Sequence, residues 1–197
     1  MRLLLDTDVF CKLAICGLIE DLTHILGAKL SECGRLPALP YMLKRGRLHN
    51  KYGAETCIML QQIVESIPPI RQPGDEWLEK LAQIEAVDPG EAQLFAVAAQ
   101  HGLMVITGDK RALLALKAVD GLPSALNGKV VVLEAALIAL CNDLGPAKVG
   151  QCLQPLSGTD LVIKICFSNS RSDPRECLRS YYSQLATETA PLVLWKP

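Results

Sequence analysis

The apolar positions of this chain fall into two patterns that alternate: short unbroken runs, and longer runs with a rhythm of three to four residues. Arg2-Leu3-Leu4-Leu5 is a short run without a turn residue, and it ends at once in Asp6-Thr7-Asp8. Residues 9–30 are Ala/Leu/Ile-rich, broken by Gly17 and Gly27, with Leu18, Leu22, Ile25 and Leu26 at helical spacing. This predicts a buried parallel strand followed by helices over 9–18 and 20–30. Residues 35–40 predict a second, short strand, confined to an edge or a strand end by Pro37 and Pro40. Residues 41–51 form a basic stretch, 53–66 an amphipathic helix, and Ile67-Pro68-Pro69-Ile70 a third short strand. Arg71-Gln72-Pro73-Gly74 predicts a turn, and Trp77, Leu78, Leu81 and Ile84 a helix started by Asp75.

The second half repeats the theme more clearly. Asp88-Pro89-Gly90-Glu91 reads as a helix start, with Asp88 as N-cap and Pro89 in the first turn. The helix runs over 92–100 and ends at His101-Gly102. Residues 103–107 predict a β-branched strand that ends in Gly108-Asp109-Lys110-Arg111, and 111–119 the helix after it. Residues 130–133 predict a further strand and 134–144 its helix. Beyond Gly145 the pattern loosens. Residues 161–167 look like a strand, 173–185 like a helix, and 192–195 like an apolar piece that docks on the body. The chain therefore divides into a domain over 1–145 and a C-terminal extension over 146–197. The extension carries Lys148, Lys164, Arg171, Arg175 and Arg179, and the sequence leaves open whether it covers a sheet edge, forms a dimer surface or lies over a site.

Composition narrows the picture. At 197 residues, half of them apolar and 5% aromatic, the core is built of Leu, Ala, Val and Ile. A net charge of −1 gives no global attraction to nucleic acid or anionic membrane, so any such binding rests on a local patch. No apolar run approaches a membrane span, and no membrane association is expected. The eight cysteines show no C-x-x-C spacing and no histidine at ligand spacing. With the first strand opening the chain, no signal peptide is expected, and the cysteines are expected as free thiols of a cytoplasmic protein.

Strand–helix alternation implies parallel pairing, which brings the strand ends to one edge, where ligands of open α/β sheets bind. Asp6 and Asp109 each follow a strand, and Glu91 opens a helix that faces the same edge. Asp6 and Asp8 read either as site acids or as caps of the first helix, and Glu91 alone reads as an acid favoured by the helix dipole. Together Asp6, Glu91 and Asp109 form an oxygen-ligand set suited to Mg²⁺ or Mn²⁺ and to metal-assisted phosphodiester hydrolysis. Lys44, Arg45, Arg47 and Lys51, with Lys110 and Arg111, read as solvated helix faces or as phosphate contacts.

LLLDTDVF, DPGEAQLFAVAAQHG and LMVITGDKRAL, in this order, resemble a PIN domain, the metal-dependent, RNase H-like nuclease family that includes toxins of toxin–antitoxin pairs and RNA-processing factors. The longer match, through TGDKRALLAL and the following strand, resembles a group of bacterial PIN-like proteins. The resemblance implies a three-layer α/β/α fold with a central parallel sheet of four to five strands, to which the pattern adds a small α+β extension. It implies a cytoplasmic ribonuclease with Asp6, Glu91 and Asp109 as catalytic metal ligands for Mg²⁺ or Mn²⁺, and Asp8 and Thr107 supporting them from behind. RNA is the implied partner, and family habit adds a homodimer and an antitoxin-like protein. The resemblance departs at one place: where PIN nucleases carry a glutamate after the second strand, this chain reads Pro40-Tyr41-Met42-Leu43-Lys44-Arg45. That favours a second reading, a catalytically silent PIN-like module that binds RNA or protein. A remote third is a haloacid-dehalogenase-type phosphatase with Asp6 as nucleophile and Asp8 as general acid. Against it, Phe10 stands where that motif wants Thr or Val, and Gly108-Asp109 lacks a second acid a few residues on.

Overall fold

The computed structural model describes residues 1–71, 75–168 and 172–197, without the side chain of Asp75. The chain begins with β1 (Leu3–Leu5), α1 (Thr7–Ile15) and α2 (Ile19–Ile25), then β2 (Cys33–Arg35), α3 (Leu39–Arg45), α4 (Arg47–Tyr52) and α5 (Ala54–Glu65). It continues through α6 (Asp75–Ala82), α7 (Pro89–His101), β3 (Met104–Thr107), α8 (Lys110–Leu116), α9 (Leu122–Ala125), β4 (Val130–Val132) and α10 (Leu133–Leu144). The extension adds α11 (Pro146–Cys152), α12 (Leu161–Phe167) and α13 (Pro174–Glu188).

Four strands form an all-parallel sheet in the order β2-β1-β3-β4. Alternate strand residues enter opposite layers, as the pleat requires. Leu3, Leu5, Ile106 and Val131 pack with α1, α5 and α10, while Leu4, Val105, Val130 and Val132 pack with α7 and α8. Both sheet faces are therefore covered, which is why the strands read as unbroken apolar runs and not as alternating ones. The α/β class and the parallel sheet agree with the sequence pattern. The order reverses between β1 and β3, so the crevice at their carboxyl ends is a topological switch point.

Several boundaries differ from the pattern. The second strand lies at Cys33–Arg35, before the two prolines, and Pro40 stands in the first turn of α3. A proline lacks the N–H that a ladder needs but that a first helical turn does not. The third predicted strand reduces to one parallel bridge, Arg35 to Pro69, at the sheet edge. The basic stretch is two helices, α3 and α4, divided at Gly46. The turn predicted at Arg71-Gln72-Pro73-Gly74 lies largely outside the described residues, as does any capping by Asp75. Asp88 caps α7 as expected, and Gly102 closes that helix with φ 65°, in the left-handed region that glycine adopts without cost.

The extension is helical, which corrects the expected α+β character. Residues 161–167 form α12, not a strand. Asp160 precedes them, its side chain accepts the N–H of Ile163, and Ile163 and Cys166 are buried at helical spacing. The terminal apolar piece docks as expected: Trp195 N–H donates to Val130 O at 2.8 Å, and Leu194 bridges Val130 in parallel, covering the β4 edge. One cysteine expectation also fails. Cys166 and Cys177 form a disulfide that ties α12 to α13. Cys11, Cys16, Cys33, Cys57, Cys141 and Cys152 are free, and burial pushes the Cys11 and Cys33 thiols up to about 12. Among the described residues, no helix is long and apolar enough to cross a membrane.

Candidate functional site

The register places three acids on one edge. Leu5 pairs with Ile106 and Thr107 with Val132, so Asp6 directly follows β1 and Asp109 stands two residues past β3. Asp6 N–H continues the ladder by donating to Ile106 O at 3.1 Å. Glu91 arrives from above the sheet in the first turn of α7. There Glu91 N–H donates to Asp88 Oδ1 at 2.8 Å, and Asp88 N–H donates to Glu91 Oε2 at 2.9 Å, a closed capping box. Gly90 packs closely here, where a Cβ would meet Leu36 Cδ1 at 2.7 Å and Asp88 Oδ1 at 3.2 Å.

A cavity of about 580 Å³ opens between these elements. Asp6, Asp8, Asp88, Glu91 and Asp109 line it, with Arg47, Lys51 and Arg111 as its cations. Asp109 is half engaged: its Oδ1 accepts the N–H groups of Arg111 at 2.8 Å and Ala112 at 3.1 Å, capping α8. Among the described residues, its Oδ2 has only the exposed Arg111 guanidinium, 3.5 Å away. Thr107, fully buried, accepts Asp109 N–H at 3.2 Å and so fixes the loop that carries the acid.

Electrostatics separates the acids into two kinds. Asp8 is neutralised inside the protein: Lys12 Nζ lies 2.8 Å from Oδ2 and Lys51 Nζ 3.1 Å from Oδ1. Against the cost of burial, these lysines hold its carboxyl below the usual carboxylate range. Among the described residues, no lysine or arginine pairs with Asp6 or Glu91. Burial, and then the charge of Asp8, pushes Asp6 up to about 6, although the amides of Thr7, Asp8 and Val9 pull the other way. Burial pushes Glu91 up to about 7; the Asp88 amide opposes it, and the charges of Asp109, Asp88 and Asp6 add to it. A second sign of unmet demand is Thr7, which lines the cavity and carries a buried hydroxyl without a hydrogen-bond partner.

The donor set is all carboxylate oxygen, which fits a hard divalent cation such as Mg²⁺ or Mn²⁺ in kind, since these ions keep several waters and need few protein ligands. It is not a preformed cage. Among the described residues, no group of three or more His, Cys, Asp or Glu side chains is arranged to hold a metal ion. Glu91 turns one oxygen back onto the Asp88 amide and Asp109 one onto α8, which leaves each acid with its other oxygen for a ligand.

The sequence-predicted residues are thus only partly assembled. Asp6, Asp8, Glu91, Asp109, Arg47, Lys51 and Arg111 share the cavity, and Thr107 supports it. Lys44 and Arg45 are exposed on α3 and do not line it. Lys110 turns away, to Glu134 Oε1 at 3.1 Å and over the Tyr181 ring at 5.3 Å. Sequence reasoning missed four participants. Glu134 stands two residues past β4 in the first turn of α10, is buried, and holds Lys110 away from the cavity. Lys12 stands at i+4 from Asp8, a visible helix pair. Asp160 has the form of an N-cap, and Thr7 carries no signal of its own. No protein-family model matches the chain, and neither a curated protein nor a solved structure is significantly similar to it.

Proposed function

We propose that this protein is a metal-dependent ribonuclease of PIN-like type, cutting phosphodiesters at the carboxyl edge of its sheet. One observation carries the reading. Asp6, Glu91 and Asp109, from three separate elements, line one cavity, and neither Asp6 nor Glu91 has a cationic partner among the described residues. Acids crowded in this way are stable as anions only with added positive charge. The same three acids are those that the resemblance to PIN domains selects.

In this reading a bound Mg²⁺ or Mn²⁺ would supply a Lewis acid and a more acidic water for the displacement. The chain supplies the rest. Asp6, Glu91 and Asp109 would hold the ion through the oxygens not used in capping. Thr107 keeps the Asp109 loop in place through the 3.2 Å hydrogen bond. Arg47 and Lys51, one turn apart on α4, and Arg111 at the head of α8 line the cavity and would bind phosphates flanking the cut. RNA is the proposed substrate, with Lys44 and Arg45 as more distant backbone contacts. A homodimer or an antitoxin-like partner remains a proposal from the resemblance alone.

A second reading, the catalytically silent module, is favoured by one specific feature: Lys12 and Lys51 already neutralise Asp8, and no acid stands on α3. The phosphatase reading is the least supported, because an Asp8 held ionised by two lysines is poorly placed to donate a proton. The test is cleavage of a fluorescent single-stranded RNA with Mn²⁺, by the natural chain and by Glu91→Gln and Asp109→Asn. Cleavage lost in both variants supports the nuclease. RNA binding without cleavage by the natural chain, in Mn²⁺ and in Mg²⁺, moves the assignment to the silent module.

A further inference from the structure

The least exposed ion pair among the described residues joins the site to the C-terminal extension. Lys12 Nζ lies 2.7 Å from Asp160 Oδ2, with side chains 19% and 9% exposed. Asp160 is held firmly, because its Oδ1 accepts the N–H of Ile163 at 3.1 Å and so caps α12. The disulfide from Cys166 to Cys177 fixes the other end of that helix on α13. The ammonium of Lys12 is shared: its second partner, 2.8 Å away, is Asp8 Oδ2. Asp8 in turn binds Lys51 at 3.1 Å. Asp160, Lys12, Asp8 and Lys51 thus form a row of alternating charge, two acids and two bases, with no net charge.

This row passes through Asp8, which lines the cavity two residues from Asp6, and Asp6 feels its charge. We infer that Asp160, supplied by the C-terminal extension, is a positioning residue that sets the cation affinity of the acidic cavity by balancing Lys12 across Asp8. The inference rests on the cation-binding reading of the cavity. Without the Asp160 charge, Lys12 is left uncompensated and the row becomes positive beside Asp6, which opposes a divalent cation. Without Lys12 the row becomes negative and attracts one. Without both, Asp8 and Lys51 remain and neutrality returns. The two partners of one ion pair therefore have opposite effects on the cavity. A contact that merely anchors the extension would give the same effect from either side, because either substitution breaks it.

The experiment is an Mn²⁺ titration by calorimetry, at fixed pH and salt, on the natural chain, Asp160→Asn, Lys12→Met, the double variant and Asp160→Glu. Asn retains a helix cap and Met retains the aliphatic stem, so each removes charge with little loss of packing. Asp160→Asn is expected to weaken Mn²⁺ binding by roughly threefold to tenfold, and Lys12→Met to tighten it by a similar factor. The double variant and Asp160→Glu are expected within about twofold of the natural chain, as the charge balance requires. Thermal melts of the metal-free proteins report the lost contact separately, as a lowered Tm in both single variants. Binding that shifts the same way in both single variants, or in neither, overturns the inference and leaves the cavity reading intact. A natural chain that binds no Mn²⁺ at millimolar concentration overturns the cavity reading, and this inference with it.

Discussion

Asp6 and Asp8 are separated by one residue, yet the fold treats them in opposite ways. Asp8 faces two lysines, and its carboxyl is held below the ordinary range. Asp6 has no lysine or arginine partner among the described residues, and burial, then the charge of Asp8, pushes its carboxyl up to about 6. The cause is local geometry. Asp8 lies in the first turn of α1, one turn below Lys12 and within reach of α4. Asp6 is the last extended residue before α1, at the strand end that also receives Glu91 and Asp109. The comparison teaches that an acidic edge is not uniform: one part satisfies itself, and the other awaits charge from outside. Only the second part is a candidate for an ion.

The largest expected effect breaks the unsatisfied part. Asp109→Asn keeps a cap for α8 but removes one proposed ligand charge, and RNA cleavage should fall by about a thousandfold, the scale of losing a central electrostatic group. A loss below about tenfold in single-turnover cleavage would remove Asp109 from the site. The next effect concerns the satisfied part. Lys12→Ala leaves Asp160 without its partner in a largely buried place, and should cost about 2 kcal/mol of stability in urea unfolding. A cost near zero would mean that the Lys12–Asp160 pair contributes nothing net.

A third prediction uses pH. Asp6 and Glu91 have higher pKa values folded than unfolded, so the folded chain binds their protons more tightly. That stability is fully present below about pH 4 and is lost as the pH rises through about 6 and 7. Asp8 acts in the opposite sense, contributing above its unfolded pKa and losing that contribution in acid. Between pH 5 and 8 the metal-free protein should therefore lose stability, and Glu91→Gln should recover about 1 kcal/mol at pH 8. Melting curves that are flat across this range, or a destabilised Glu91→Gln, would contradict the account. The smallest effect is that of Lys51→Ala. Its pair with Asp8 is about half exposed on both sides, so stability should change by about 0.5 kcal/mol or less. RNA binding should weaken all the same, with the salt dependence of log K shallower by about one.

The sequence made the sheet edge legible for a physical reason. A strand buried on both faces is an unbroken apolar run, so Leu3-Leu4-Leu5 and Val130-Val131-Val132 stand out, and an acid directly after such a run marks its end. The capping box at Asp88 and Glu91 was readable because both bonds are local. The extension was misread where local and tertiary signals look alike. Leu161-Val162-Ile163 is apolar with two β-branched residues, and only Asp160 ahead of it betrays a helix. The cysteine spacing gave no hint of the disulfide, because Cys166 and Cys177 meet only once α12 folds back on α13. The Lys12–Asp160 bridge spans 148 residues, a separation at which no local pattern exists. Glu134 lies in the Leu133-Glu134 pair that the longer resemblance includes after the fourth strand, but the resemblance gives it no role.

The most direct test of the central claim is a calorimetric titration of Mn²⁺ into the natural chain and into Asp6→Asn and Asp8→Asn. The account predicts that the natural chain binds one ion, that Asp6→Asn abolishes binding, and that Asp8→Asn retains it in weakened form, because Asp8 balances Lys12 and Lys51 and does not hold the ion. Binding that survives in Asp6→Asn, or that is lost only in Asp8→Asn, would contradict it.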